Sequence, residues 1–155
     1  MGEQRTDHTA GGHSHVILLL CRHIVNETPY LIDAGEGILR AIAKTATAHS
    51  KKLVDCFAPA KLAHLFLTHL HSDHIVGLPS LILNLWIFGK TKPLEIYGPI
   101  GTENLVEKIL DEYKPDIMER INGPERANDT GWRVTVHEYS EAGFVFEDEN
   151  VKLLE

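Results

Sequence analysis

Residues 66–79 read FLTHLHSDHIVGLP and bring His69, His71, Asp73 and His74 together directly after an apolar run. Histidine and aspartate are poor core residues, so their place at the end of a buried-type strand is a chemical signal. Neutral imidazoles and carboxylates are zinc ligands, with Zn–N distances of about 2.0–2.1 Å. His69 and His71 are two apart, so on an extended segment both side chains leave the same side. Asp73 and His74 are adjacent, diverge, and are free to serve a second ion. A cluster divided this way suggests a two-metal centre, its ions about 3.5–4 Å apart. Such a pair makes hydroxide near neutral pH, the nucleophile for a phosphate, sulfate or acyl ester. The plainer alternative is a set of loop histidines at a helix start, with Asp73 as its N-cap; an ordered set of four favours the metal.

The elements around the motif must hold it. LAHLFLT is a short continuous apolar run, the pattern of a strand covered on both faces. A helix begins near Asp73, and HIVGLPSLILNLWIFG reads as one buried helix with Pro79 early, where the first turns tolerate it. Upstream, SHVILLLCRHIV and YLIDAG read as strands about a turn at NETP, a hairpin closed by Gly35 and Gly37. GILRAIAKTATAHS has helical spacing at Ile38, Leu39, Ile42 and Ala46, and KKLVDCFAPAK reads as a connector. Downstream, PLEIYGP is a strand and GTENLVEKILDEYKPDIMERI a helix. Thr102 and Asn104 are placed to cap it, and Leu105, Ile109 and Tyr113 to form its inner face. NGPERANDTG is a loop, WRVTVHEY a strand, and AGFVFEDENVKLLE two strands about an acidic turn. Alternating strands and helices argue for an α/β fold, whose strand ends carry its sites.

The chain has 155 residues, 43% of them apolar and 24% charged, which suits one globular domain with a real core. The first dozen residues are polar and read as frayed. Cys21 and Cys56 lack metal spacing and read as reduced, buried side chains. No apolar stretch reaches the ~18–20 residues that span a bilayer. No basic-then-apolar leader opens the chain, so a cytoplasmic location is the default. The net charge is −7, and residues 103–155 hold 14 of the 22 acidic groups. A nucleic-acid ligand wants a basic footprint. Only a modest one is offered, by Arg40, Lys44, Lys51, Lys52, Lys61, Lys90 and Lys92, which read as solvated surface charges.

His-x-His-x-Asp-His after a strand, with Thr68 before it, resembles the signature of the metallo-β-lactamase fold. LTHLHSDHIVGLP, with YLIDAGEG upstream and PLEIYGPIG downstream, is similar to that fold's ribonuclease Z (tRNase Z) branch. That branch also holds arylsulfatase-like and phosphodiesterase-like relatives. The resemblance runs from about residue 15 to the end, with NGPERANDTGWRVTVHEYSEAG similar to bacterial ribonuclease Z-like hydrolases. It implies an αββα sandwich of which this chain supplies the N-terminal half or a little more. Residues 1–155 would then be a single, incomplete domain, with 1–13 disordered. His69 and His71 would hold one Zn2+, and Asp73 and His74 a second. Asp73 would also take a proton from the attacking water. Asp33 would orient a ligand imidazole, with Thr68 beside it in support.

The family draws a third histidine, a bridging aspartate and a final histidine from beyond the region matching NVKLLE. This sequence therefore offers two ligands per zinc, and His137 is the only histidine after the motif. The implied activity is 3′ endonucleolytic processing of precursor tRNA. Two alternatives stay open. One is a small-molecule metallohydrolase acting on an aryl sulfate, phosphodiester or lactone. The other is a catalytically incomplete fragment. The implied partners are precursor tRNA or a small ester, no membrane, and a homodimer mate covering the exposed half.

Overall fold

The computed structural model describes residues 24–154 apart from 27, 48–50, 125, 141 and 142, with the backbone alone at 24, 25, 47 and 51–53. Strand β1 (Ile24–Val25) turns at Asn26, whose φ of 49° suits asparagine, into β2 (Thr28–Ile32). The hairpin expected here therefore forms, with Ile24 opposite Pro29. The remainder of SHVILLLCRHIV, with Cys21 and His23, lies outside the described residues, as do His8, His13, His15 and His49. Helix α1 (Ile38–Thr47) follows, then α2 (Lys51–Cys56) and a single 3-10 turn at Pro59–Lys61. The connector is thus largely helical. Cys56 and Phe57 are buried there, and packing of that pair overrides the polar composition.

Strands β3 (His64–Phe66), β4 (Leu94–Pro99) and β5 (Val134–Tyr139) complete a sheet of order β1-β2-β3-β4-β5. All but the β1–β2 pair are parallel. Sequential parallel strands joined by right-handed crossovers put their helices on one face. That face carries Leu31, Leu65, Ile96 and Val136, aligned across four strands. The first three have no exposed surface, and α1, α4 (Leu78–Ile87) and α5 (Thr102–Glu112) cover them. The other face carries Tyr30, His64, Phe66, Tyr97 and His137. Onto it the hairpin of β6 (Phe144–Glu147) and β7 (Lys152–Leu154) sets Phe146, which meets the rings of Tyr30, His64, Phe66 and Tyr97.

Two expected helices are each divided. HIVGLPSLILNLWIFG holds the end of α3 (Ser72–Ile75) and all of α4, separated at Gly77. The long downstream helix breaks at Tyr113 into α5 and α6 (Lys114–Asn122), because Pro115 sits where a new first turn tolerates it. Tyr113 is consequently 41% exposed, not on the inner face, while Val106 and Ile117 are buried. Lys90 is also not a surface charge. Its side chain is buried and its Nζ donates to the Leu62 carbonyl at 2.7 Å, with burial pushing its pKa down. No described helix is long and apolar enough to cross a membrane.

Candidate metal-binding site

The motif leaves the sheet where β3 ends, beside the end of β2. There Asp33 takes a φ of 59°, a left-handed conformation that a non-glycine residue adopts only when its surroundings enforce it. Three contacts do so. The Asp33 N–H donates to the Phe66 carbonyl at 2.8 Å, and the Ala34 N–H to the His74 carbonyl at 2.7 Å. The Gly77 N–H donates to the Ala34 carbonyl at 2.7 Å. The 33–35 turn and α3 are thus tied backbone to backbone. A Cβ on Gly35 would collide with the Asp73 carbonyl, and one on Gly77 with the Gly35 carbonyl. These glycines serve close approach. Gly37, at φ 75° with open space around it, is the true turn glycine.

The turn delivers the Asp33 carboxylate, itself only 7% exposed, beneath the motif. Its Oδ1 accepts the Thr68 N–H at 2.9 Å, and both oxygens lie 3.0 Å from the Thr68 hydroxyl. Its Oδ2 lies 2.7 Å from His74 Nδ1. The Thr68 hydroxyl has one proton, and the carboxylate is the stronger acceptor for it. That oxygen then accepts from His69 Nδ1, 2.9 Å away. One buried carboxylate therefore fixes two imidazoles, His74 directly and His69 through Thr68. Each keeps Nδ1–H inward and leaves Nε2 as a free lone pair.

The rings gather in front of this support. His69 lies 4.0 Å from His74 and 4.7 Å from His71, centroid to centroid. Asp73 Oδ2 stands 3.5 Å from His74 Nε2, so this pair faces a common point instead of diverging. Asp73 does not cap α3. It lies in the first turn, and His71 occupies the cap position with no side-chain bond. Among the described residues no three His, Cys, Asp or Glu side chains form a group able to hold a metal. The His69 ring stands nearer to His74 than to His71, so the geometry does not divide the donors into the two pairs expected from their spacing. Three imidazoles and a carboxylate suit zinc in chemistry, and His69, His71, Asp73 and His74 are the residues that could hold it.

Two other histidines stand elsewhere. His137 Nε2 meets Glu95 at 2.7 Å and its ring stacks on Tyr97 at 4.5 Å. His64 stacks among Tyr30, Tyr97 and Phe146. Its Nδ1 is buried without a hydrogen-bond partner among the described residues, and burial pushes its pKa down. Sequence reasoning also missed Glu138. Thr102 donates to the Pro99 carbonyl at 2.7 Å instead of capping α5. The cap position is Gly101, at φ 104°, and the Glu138 carboxylate accepts the N–H groups of Gly101 and Glu103, each at 2.8 Å. A partner 35 residues away leaves no local signal.

No family model matches the chain. In sequence it is 34% identical over 124 residues to the ribonuclease Z of Lactiplantibacillus plantarum, covering 80% of this chain and 32% of that one. It is 35% identical over 125 residues to the ribonuclease BN of Citrobacter koseri, covering 77% and 37%. It is 40% identical over 81 residues to the ribonuclease Z of Methanocaldococcus jannaschii, covering 52% and 22%. The chain thus spans between 22% and 37% of the length of these curated relatives. In structure it shares the fold of the short form of human tRNase Z, with a TM-score of 0.57 at 21% identity. That superposition covers 82% of this chain and 49% of that one.

Proposed function

We propose that this ribonuclease Z-like chain of the metallo-β-lactamase fold is the metal-holding part of a hydrolase that cuts precursor tRNA on its 3′ side. One observation carries the reading. Asp33 aligns His74 and, through Thr68, His69, so that each presents Nε2 outward. Its similarity to ribonuclease Z and ribonuclease BN supplies the substrate class. Residues 1–155 are read as one domain of that kind, and its metal as zinc.

In this reading His69 and His71 hold one ion, and Asp73 and His74 the other. Zinc bound there would supply a water acidic enough to attack a phosphodiester near neutral pH. The chain's own residues supply the rest. Asp73, with its side chain 78% exposed, can receive a proton from the attacking water. Asp33 stays shielded and holds the imidazole tautomers. Thr68 relays that constraint to His69.

The test is cleavage of a precursor tRNA bearing a 3′ trailer by the complete protein supplied with zinc, alongside Asp73→Ala. Cleavage at the 3′ side that Asp73→Ala abolishes is the expected result. Hydrolysis of a chromogenic phosphate or sulfate ester, with the tRNA left intact, would move the assignment to a small-molecule hydrolase. No hydrolysis of either substrate would overturn the proposal.

A further inference from the structure

The ladder between β3 and β4 advances two residues at a time. The Glu95 N–H donates to the Ala63 carbonyl at 3.0 Å, and the Leu67 N–H to the Tyr97 carbonyl at 2.8 Å. The next donor in this parallel pattern is the N–H of residue 99, which should meet the Leu67 carbonyl. Residue 99 is proline and has no N–H. Leu67 is fully buried, so water cannot replace the missing donor. The replacement comes from one strand further on. Tyr139 pairs in register with Pro99, and its hydroxyl donates to the Leu67 carbonyl at 2.7 Å.

We propose that Tyr139 is a positioning residue for the metal-binding segment: its hydroxyl replaces the ladder donor that Pro99 lacks and pins the chain where β3 passes into Thr68–His71. The segment is then clamped from two sides. Asp33 holds it from β2, through the Phe66 carbonyl and Thr68. Tyr139 holds it from β5, across Pro99. Without the second clamp, the backbone entering His69 would keep its buried carbonyl unpaired and gain freedom on the β4 side. The metal-binding consequence rests on the proposed function; the backbone consequence does not.

The test combines Tyr139→Phe, Pro99→Ala and the double variant. Hydrogen–deuterium exchange of the bonded amides of Leu67 and Thr68 is read in the metal-free protein, and zinc affinity by competition with a chelating dye. Tyr139→Phe should speed exchange at Leu67 and Thr68 about tenfold, leave α4 unchanged, and weaken zinc binding about tenfold, the lower end for a support of a metal ligand. Adding Pro99→Ala restores a backbone donor and should recover both. Unchanged exchange in Tyr139→Phe, or no recovery in the double variant, would overturn the assignment. If the unmodified chain binds no zinc, the proposed function fails, and the exchange measurement still decides the role of Tyr139.

Discussion

Asp33 Oδ2 and His74 Nδ1 lie 2.7 Å apart, across 41 residues of sequence, and this contact organises the site. The same carboxylate holds Thr68, and through it His69. Asp33→Asn puts an amide N–H donor or a weaker neutral acceptor where three donors now point. Zinc affinity should fall 10–100-fold, the usual effect of losing a ligand's orienting partner. Competition with a chelating dye measures it. A variant that binds zinc as the parent does would remove Asp33 from the assembly.

His71 is exposed at the lip of the site, so His71→Ala should leave metal-free stability within about 0.5 kcal/mol. Zinc at about 100 times its dissociation constant should stabilise the parent by about 2.7 kcal/mol. Most of that gain should vanish in the variant. Thermal melts with zinc and with a chelator separate the two quantities.

Three glycines predict a graded series. Gly77→Ala and Gly35→Ala drive a Cβ into backbone carbonyls that cannot swing aside, and each should cost about 1–3 kcal/mol. Gly37→Ala meets no atom and bears only its positive φ, so about 1 kcal/mol is expected. Urea unfolding of the three variants gives the order. A Gly37→Ala loss equal to that of Gly77→Ala would contradict the close approach of α3 to the 33–35 turn.

Tyr30 joins the β6–β7 turn to the sheet. Its hydroxyl donates to Asp148 at 2.5 Å and receives the Asn150 side-chain amide at 3.2 Å. Burial and the bond to Asp148 push its pKa from 10.0 up to about 12. The folded protein therefore keeps the proton that the unfolded chain has lost. The contribution is fully present below pH 10 and is lost as pH rises toward 12. Tyr30→Phe should be less stable at pH 8 by about 1.5 kcal/mol. Its stability should also decline less steeply than the parent's between pH 10 and 12. Urea midpoints at pH 8, 10 and 11 test both statements, and parallel declines would refute the second.

The residues that could hold metal are legible in the sequence because ligand spacing is local. His69, His71, Asp73 and His74 follow one strand and open one helix. The α/β alternation is legible for the same reason, since apolar periodicity records what each segment buries. Element boundaries are less so. Pro115 begins a helix instead of merely interrupting one, and Gly77 separates two helices within a continuous apolar run.

Only the tertiary structure shows how the motif is held. The bonds from Asp33 to His74, from Glu138 to Gly101 and from Tyr139 to Leu67 join residues 35 or more positions apart, on neighbouring strand ends and the loops beyond them. Sheet register decides those meetings. It pairs Pro99 with Tyr139 and places the turn after Ile32 beside the segment after Phe66. Register is set by the packing of Leu31, Leu65 and Ile96 under the helices, a cooperative property that no local pattern states. The sequence by itself determined which side chains the motif carries and in what order. The fold decided which imidazole nitrogens face outward, because a tautomer is chosen by the partner that tertiary contact brings to the other nitrogen.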